Sequence, residues 1–359
     1  MADITVEVLP GRPAWSVPLS SSRFTGTTDD ARLTSALTWA ASQTYKPTIV
    51  LDEMRTYTFS QTRNLFSGLS ISGATRPQDQ ARSSKPIGNQ VNLRMSGGWF
   101  NLAQSQTFGC AFTNLSLDGT ASNRLVAGHA SNVLWTSVFR DISCQNAAGV
   151  LGSSSTKLLN TACTIDGWWN VNNVQDRAFN VGGSDSFFKP SQMLLDSPPE
   201  LMPDNGFLLS YSSQSKGELS GLYLTAEGHS GVLLSGGSAI VTRNVIEGRN
   251  SGAPCNGALI RVAGGMHTIR DNFLNYAMAN PSTTGRDDQG VIHVASGNVV
   301  IDGVQYDRTS AVTDSTPLVY AGAGSKVRVS NVQADFTPVV KKHATATVVA
   351  DSSVQVVTA

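Results

Sequence analysis

Val241-Thr-Arg-Asn-Val245, Ile269-Arg-Asp-Asn-Phe273, Ile301-Asp-Gly-Val304 and Val329-Ser-Asn-Val332 repeat one small pattern near the end of a 359-residue chain. An apolar residue is followed by one or two others, then Asn, Asp or Gly, then a second apolar residue. Read backward, the pattern recurs in Leu219-Ser-Gly-Leu222, Val171-Asn-Asn-Val174, Phe139-Arg-Asp-Ile142 and Phe112-Thr-Asn-Leu115. The closing apolar residues fall at 115, 142, 174, 222, 245, 273, 304 and 332, in steps of 27, 32, 48, 23, 28, 31 and 28. The 48-residue step reads as two units of 24 and contains the loop-like Asp196-Ser-Pro-Pro-Glu200. Further upstream, Ile49, Ile71, Leu93 and Leu115 lie 22 residues apart, with Asn92 and Asn114 in register.

Asn, Asp and Gly tolerate the left-handed backbone that a sharp corner needs, and the apolar residues beside the corner point inward. Gly182-Gly183, Gly236-Gly237 and Gly264-Gly265 supply further corners. A unit of this length holds two or three short strands and cannot bury a core alone. Stacked units can, with strands about 4.8 Å apart. Leucine-rich repeats share the period but need a dense leucine pattern that is absent here, and propeller blades need roughly 40–50 residues. The spacing therefore predicts a parallel β-helix, with a jelly roll or other sandwich as the competing fold. It predicts at least eight coils between Ile49 and Val332, with Asn114, Asn173, Asn244, Asn272 and Asn331 at corners along one edge.

Composition agrees. Only 14% of residues are charged and 33 are glycine, which suits a turn-rich all-β chain better than a helical bundle. The 26 basic and 26 acidic side chains cancel, which argues against a nucleic acid partner. Cys110, Cys144, Cys163 and Cys255 are far apart and form no C-x-x-C, so they are expected to be buried as small hydrophobes. Met1–Pro10 has neither a basic nor an apolar signal region, and no stretch of 18 apolar residues exists. No ordinary secretory signal and no membrane insertion are expected.

The segment Thr28-Asp-Asp-Ala-Arg-Leu-Thr-Ser-Ala-Leu-Thr-Trp-Ala-Ala41 carries apolar or small residues at 33, 36, 37, 40 and 41, which is helical spacing. Thr28 or Asp29 can cap it, and the acids suit the first turn. A helix there would cover the open end of a solenoid, which otherwise exposes edge strands. Four regions follow: an N-terminal arm over 1–23 with Trp15 as a possible anchor, a capping segment with the helix over 24–48, the β-helix over 49–338, and a C-terminal β tail over 339–359.

Phe24-Thr-Gly-Thr-Thr-Asp-Asp30, the short helix, Pro47-Thr-Ile-Val-Leu51, Tyr57-Thr-Phe59 and Leu69-Ser-Ile-Ser-Gly73 resemble the opening of the pectate-lyase-like right-handed β-helix superfamily. Many phage tailspikes and minor tail proteins belong to it. Gly26-Thr27 stands in place of the fuller Gly-Asp-Gly pattern, and Lys46-Pro47 in place of a Gly-Gly strand entry. The resemblance spans roughly 24–335, with about fifty residues carrying its specific part. It implies an all-β, right-handed, single-stranded parallel β-helix assembled as a homotrimer on a phage tail.

Candidate chemistry is sparser. Glycan cleavage needs two carboxylates roughly 5–10 Å apart, and stacked coils bring acids together easily. Asp307 and Asp335 each lie three residues past their closing apolar residue and should be neighbours on one face. Glu227, Glu247 and Asp271 come from three successive coils. Against this, acids at solvated β-helix corners are common. The five histidines show no metal-ligand spacing, and no calcium motif or phosphate loop stands out, so neither a metal nor a cofactor is expected. Trp168, Trp169, Tyr276 and Tyr306 are candidates for stacking on sugars, with Trp135 and Tyr223 beside them. Because adjacent strand residues face opposite sides, one of Trp168 and Trp169 should face outward.

These readings converge on a tailspike or minor tail protein of the virion. It would attach to the host cell surface by binding a glycan, and dock to other tail proteins through residues 1–23. A polysaccharide depolymerase, hydrolase or lyase, is the first alternative. A cellular β-helix carbohydrate enzyme, which the missing signal disfavours, is the second, and a structural tail decoration the third.

Overall fold

A computed structural model of the chain describes residues 5–359 other than 10–11, 54, 74–91, 96–99, 120–123, 154, 173, 175–176, 184–186, 198–206, 214–216, 228–229, 250–257, 278–289 and 309–316. Its strands wind coil on coil in parallel, each pairing with the equivalent strand one coil away, and the whole is a right-handed parallel β-helix. The described antiparallel pair is Thr5–Leu9 against Arg12–Pro18.

Three sheets run the length of the solenoid. On sheet 1 the inward residues Val17, Ile49, Ile71, Phe112, Phe139, Ile165, Phe188, Leu219, Val241, Ile269, Ile301, Val329 and Ala350 lie in one continuous register. Ile49 through Val329 already mark eleven coils. Sheet 2 stacks Leu117, Cys144, Val171, Leu195, Leu224, Ile246, Leu274 and Tyr306 in the same way. Sheet 3 stacks Phe179, Leu209, Val232, Ile260, Ile292, Val319 and Val340, all fully buried. β-branched and aromatic side chains suit such half-buried pleats, and each stacked side chain lies one rung from its neighbour.

The corner from sheet 1 to sheet 2 explains the repeat. Two residues after eight of these sheet 1 apolar residues the chain takes positive φ: Asn114 (56°), Asp141 (54°), Gly167 (75°), Gly221 (76°), Arg243 (57°), Asp271 (53°), Gly303 (63°) and Asn331 (55°). The next residue normally points inward, as do Leu115, Ile142, Leu222, Val304 and Val332. In two coils the inward place belongs to Asn244 and Asn272, each 1% exposed, and the expected anchors Val245 and Phe273 sit one residue later, half-buried on the outside. Asn114 and Asn331 are at the corner as expected, whereas Asn244 and Asn272 are core residues. They survive there because they bond each other and the main chain. Asn244 Nδ2 donates to Asn272 Oδ1 (2.9 Å) and to Leu219 O (3.1 Å), Asn272 Nδ2 donates to Val241 O (2.9 Å), and Leu222 N donates to Asn244 Oδ1 (3.0 Å). Asn173 lies outside the described residues.

Two expectations from the spacing need correction, and a third, the extra coil in the 48-residue step, holds. The corner of the coil near 171 is Ile165-Asp-Gly-Trp-Trp169, not Val171-Asn-Asn-Val174, and Val171 lies on sheet 2 opposite Cys144. Leu93 pairs with Tyr57 and Leu117 on sheet 2, so the 22-residue series breaks after Ile71, and Asn92 sits opposite Ser116 rather than Asn114. The coil hidden in the 48-residue step is the strand Phe187–Ser197, whose Pro190 lacks the Asn/Gly signature.

The helix Asp29–Ser42 covers the first coil as expected. Thr28 Oγ1 accepts from Ala31 N (3.2 Å), and Leu33, Ala36, Leu37 and Ala40 are buried beneath it. Asp29 accepts from Thr58 N (2.9 Å) and both Arg55 terminal nitrogens, and Asp30 accepts from Ser60 N (2.9 Å) and pairs with Arg63. The Thr-Asp-Asp stretch therefore caps the helix and ties it to the strand Thr56–Phe59. The arm reading of 1–23 shortens. Ser16, Val17 and Pro18 pair in parallel with Thr48, Ile49 and Val50, and Val17 and Leu19 are core. The Trp15 side chain lies outside the description. At the other end, Thr347–Ala350 and Gln355–Thr358 continue the coils in parallel register. Cys110, Cys144 and Cys163 are buried free thiols, pushed by burial to about 12, 12 and 11, and Cys255 lies outside the described residues.

Burial opposes ionisation of Asp29 and Asp30, but hydrogen bonds from Arg55, Ser60, Arg63 and the main chain outweigh it, so both carboxyls sit below the ordinary 3.8. A lowered carboxyl stabilises the fold above its unfolded value and loses that contribution as pH falls through the folded value. Stability should therefore hold down to about pH 4 and drop below it, and Asp30→Asn should lower the neutral-pH melting temperature while flattening that acid limb. Thermal unfolding monitored from pH 7 to pH 2.5 checks this.

Candidate functional site

The outer face of sheet 2 brings together two of the candidate acids, Glu247 and Asp307. The strands Leu222–Glu227, Val245–Arg249, Phe273–Ala277 and Gln305–Arg308 lie on successive rungs. Residues two apart share a face, so register makes two outward columns. One runs Tyr223, Val245, Phe273, Gln305, and the other Thr225, Glu247, Asn275, Asp307. Glu247 and Asp307 thus stand two rungs apart with Asn275 between them, a main-chain separation of roughly 10 Å. Tyr223 Oη donates to Glu247 Oε1 (2.8 Å), holding that carboxylate against the sheet. The Asn275 carbonyl oxygen is buried and meets no donor among the described residues. An acceptor kept dry in that way costs about 1–3 kcal/mol, so this part of the face is held in place by the coil rather than by its own bonding.

The other candidate acids fall elsewhere. Asp335 is exposed in the bend after the rung at Gln333, which bridges to Gln305, so it follows Asp307's column without lying on a strand. Glu227 is opposite Arg249 on the same sheet, but its side chain lies outside the description. Asp271 is at the sheet 1 corner with φ 53°, 61% exposed and 4.0 Å from Arg270 Nε, away from the Glu247 column.

Three of the four aromatic candidates are buried. Tyr306 ends the inward stack of sheet 2 at 4% exposure, packs edge-on against Phe336 (5.4 Å between centroids), and is pushed up to about 12 by burial. Trp169 is fully buried in the inward column between Ile142 and Met193, with Nε1 donating to Asp166 O (2.7 Å). Trp168 was expected to face outward if Trp169 did not. It instead shares with Gly167 the place opposite Asp141 at a register shift, is 6% exposed, and its main-chain N–H donates to Asp141 Oδ1 (2.8 Å). Simple alternation fails at that irregularity because the corner rotates the chain between the two tryptophans. The Tyr276 side chain lies outside the described residues. Sequence reasoning missed Phe273 and Asn275 as outward partners of Glu247, and the two-residue offset from Val245 and Glu247 was the signal that could have found them.

A concavity of about 470 Å³ lies on the outer face of sheet 1, between Ile240, Met266, Val300, Val349, Lys326 and Arg328. Aliphatic side chains and two cations line it, with no carboxylate.

No protein-family model and no curated protein matches the chain. Solved structures do. DFA-IIIase from Arthrobacter chlorophenolicus A6, without its lid and in complex with GF2, aligns with TM-score 0.61 at 13% identity over 96% of this chain and 92% of that one. A structure of the same protein described without a ligand gives 0.60 at 13% identity over 96% and 87%, and its complex with DFA-III gives 0.53 at 14% over 91% and 81%. At these identities the likeness is one of fold.

The Tyr306 hydroxyl is buried with no acceptor among the described residues. Tyr306→Phe removes a dry polar atom and keeps the ring, so stability should be unchanged or rise by up to about 1 kcal/mol. A loss above about 1 kcal/mol in denaturant unfolding would place that hydroxyl in a bond the described residues do not contain.

Proposed function

We propose that this chain is a glycan-binding β-helix of a phage tail, of tailspike or minor-tail type, which attaches the virion to the host cell surface through the outer face of sheet 2. The observation that carries the reading is the pair of columns there. Glu247 and Asp307 offer carboxylate acceptors at fixed rung spacing on either side of Asn275. Tyr223 and the half-buried Phe273 beside them offer flat apolar surface. Sugars need both, hydrogen-bonding partners for hydroxyls and a flat face for ring C–H groups. The fold's likeness to one protein, solved with GF2 and with DFA-III, supports a carbohydrate ligand. The opening residues 24–73 support the tail-protein type by resemblance. In this reading the part of the arm ahead of the Ser16–Pro18 pairing contacts neighbouring tail proteins.

A depolymerase remains the second reading, favoured by the Glu247–Asp307 spacing. Two rungs are too wide for the roughly 5 Å of a retaining pair and fall near the wide end of the inverting range. Asp335 follows Asp307 one rung further along the column, beyond the end of the strand, and Glu227 and Asp271 are further acids for this reading that lie off it.

Purified protein should bind host-envelope polysaccharide, and Glu247→Gln or Asp307→Asn should weaken binding at least about tenfold, roughly 1.4 kcal/mol. Calorimetry checks the affinity, and reducing-end or unsaturated-product assays check for cleavage. Oligosaccharide release lost in either variant would establish the depolymerase instead. The low charge leaves the outer face little electrostatic defence against self-association. A homotrimer should sediment at about three times the 37.9 kDa chain, and a monomer at micromolar concentration would exclude it.

A further inference from the structure

We propose that Phe108 and Trp135 form a second sugar-binding platform, for a neutral pyranose ring, on a different face from the carboxylate column. This rests on the glycan-binding reading above and adds a site to it.

The strands Gln106–Phe108 and Val133–Trp135 pair in parallel, with Phe108 opposite Trp135 and Gln106 opposite Val133. Period-2 alternation sends Thr107 and Leu134 inward, both fully buried, and sends the two rings outward. Phe108 is 44% exposed and Trp135 half-buried, with centroids 5.9 Å apart and planes 23° from parallel. The contrast lies one corner away. Phe112 and Phe139 stack at 5.6 Å and 6° inside the core, where their burial stabilises the coil. The outward pair does nothing for the core, and water is a poor neighbour for two large rings.

The surroundings match a neutral sugar. Register continues the columns as Gln106–Val133–Leu159 and Phe108–Trp135–Thr161, so rings and aliphatic groups are bordered by an amide and a hydroxyl, with no charged side chain in either column. A charged ligand finds no counter-charge there. A pyranose lays its C–H face on the rings and turns its hydroxyls to Gln106 and Thr161. The platform is also rigid. Phe108 N donates to Ser67 Oγ (3.1 Å), Gly68 N to Phe108 O (2.7 Å), Gly109 N to Trp135 O (2.9 Å) and Thr136 N to Thr161 O (2.9 Å). Both rings are followed at once by positive-φ corners, Gly109 (65°) and Thr136 (47°). A β-branched residue rarely accepts that backbone, so the coil holds the rings in one orientation at a local cost. Rings fixed before binding lose little freedom on binding.

The test is a glycan array of neutral glucose, galactose, mannose and fructose oligosaccharides, followed by calorimetry with the best binder. Wild type is compared with Phe108→Leu, Trp135→Leu and Glu247→Gln, and melting temperature and sedimentation are recorded for each. The platform predicts at least about tenfold weaker binding in Phe108→Leu, the more exposed and structurally safer variant, with melting and sedimentation unchanged. Binding that survives both ring variants but falls in Glu247→Gln overturns the platform and leaves the glycan reading standing. Ring variants that change the sedimenting mass but not glycan affinity also overturn it, because the rings would then be a contact between copies. If wild type retains no oligosaccharide and no envelope polysaccharide, both readings fail together.

Discussion

Parallel main-chain hydrogen bonding between coils is the constraint from which the rest of this structure follows. It fixes each residue about 4.8 Å from its counterpart above and below. Whatever faces inward in one coil must therefore fit against what faces inward in the next. The sheet 1 stack from Val17 to Ala350 contains only Val, Ile, Leu, Phe and a terminal Ala because nothing else would pack there. At the corner into sheet 2, asparagine takes the inward place in two consecutive coils, and the Asn244 amide donates to the Asn272 side-chain oxygen while both amides also donate to main-chain oxygens.

A stack of this kind is closed laterally but not at its ends. The first coil is covered by the helix Asp29–Ser42, and the covering is electrostatic as well as apolar. Asp29 and Asp30 reach across to main-chain N–H groups at Thr58 and Ser60 that mark the edge of the next strand. Arg55 and Arg63, which answer those acids, lie over Tyr57 and Phe59, with guanidinium carbons 4.2 and 5.3 Å from the ring centroids. One pair of acids thus caps a helix, closes a strand edge and orders two arginines.

The same spacing that fills the interior sets the chemistry outside. Within one column outward groups are separated by whole rungs, so their main-chain separations come near 5 Å or near 10 Å. Glu247 and Asp307 take the wider value because Asn275 occupies the rung between them. Aromatic residues divide by the parity of their position. Trp169 and Tyr306 fall on inward positions and serve the core, while Phe108 and Trp135 fall on outward ones and remain available to a ligand.

The sequence alone determined the fold class, the corner residues Asn114 and Asn331, the capping helix with Thr28 at its start, and the buried residues Leu115, Ile142, Leu222, Val304 and Val332. Those depend on local requirements, positive φ at a corner and apolar spacing along one strand, which are written in consecutive residues. The three-dimensional stack decided what lay beyond that range. Whether Asn244 or Val245 faces the core, whether Leu93 follows Ile71 or Tyr57, and whether Trp168 is covered all depend on register between coils 20 to 40 residues apart. Irregularities such as the one after Gly167, and coils without an Asn or Gly corner such as Phe187–Ser197, shift that register silently in the sequence. The grouping of Glu247, Asn275 and Asp307 is of the same kind. Each residue is unremarked in its own strand, and only hydrogen bonding between coils makes them neighbours.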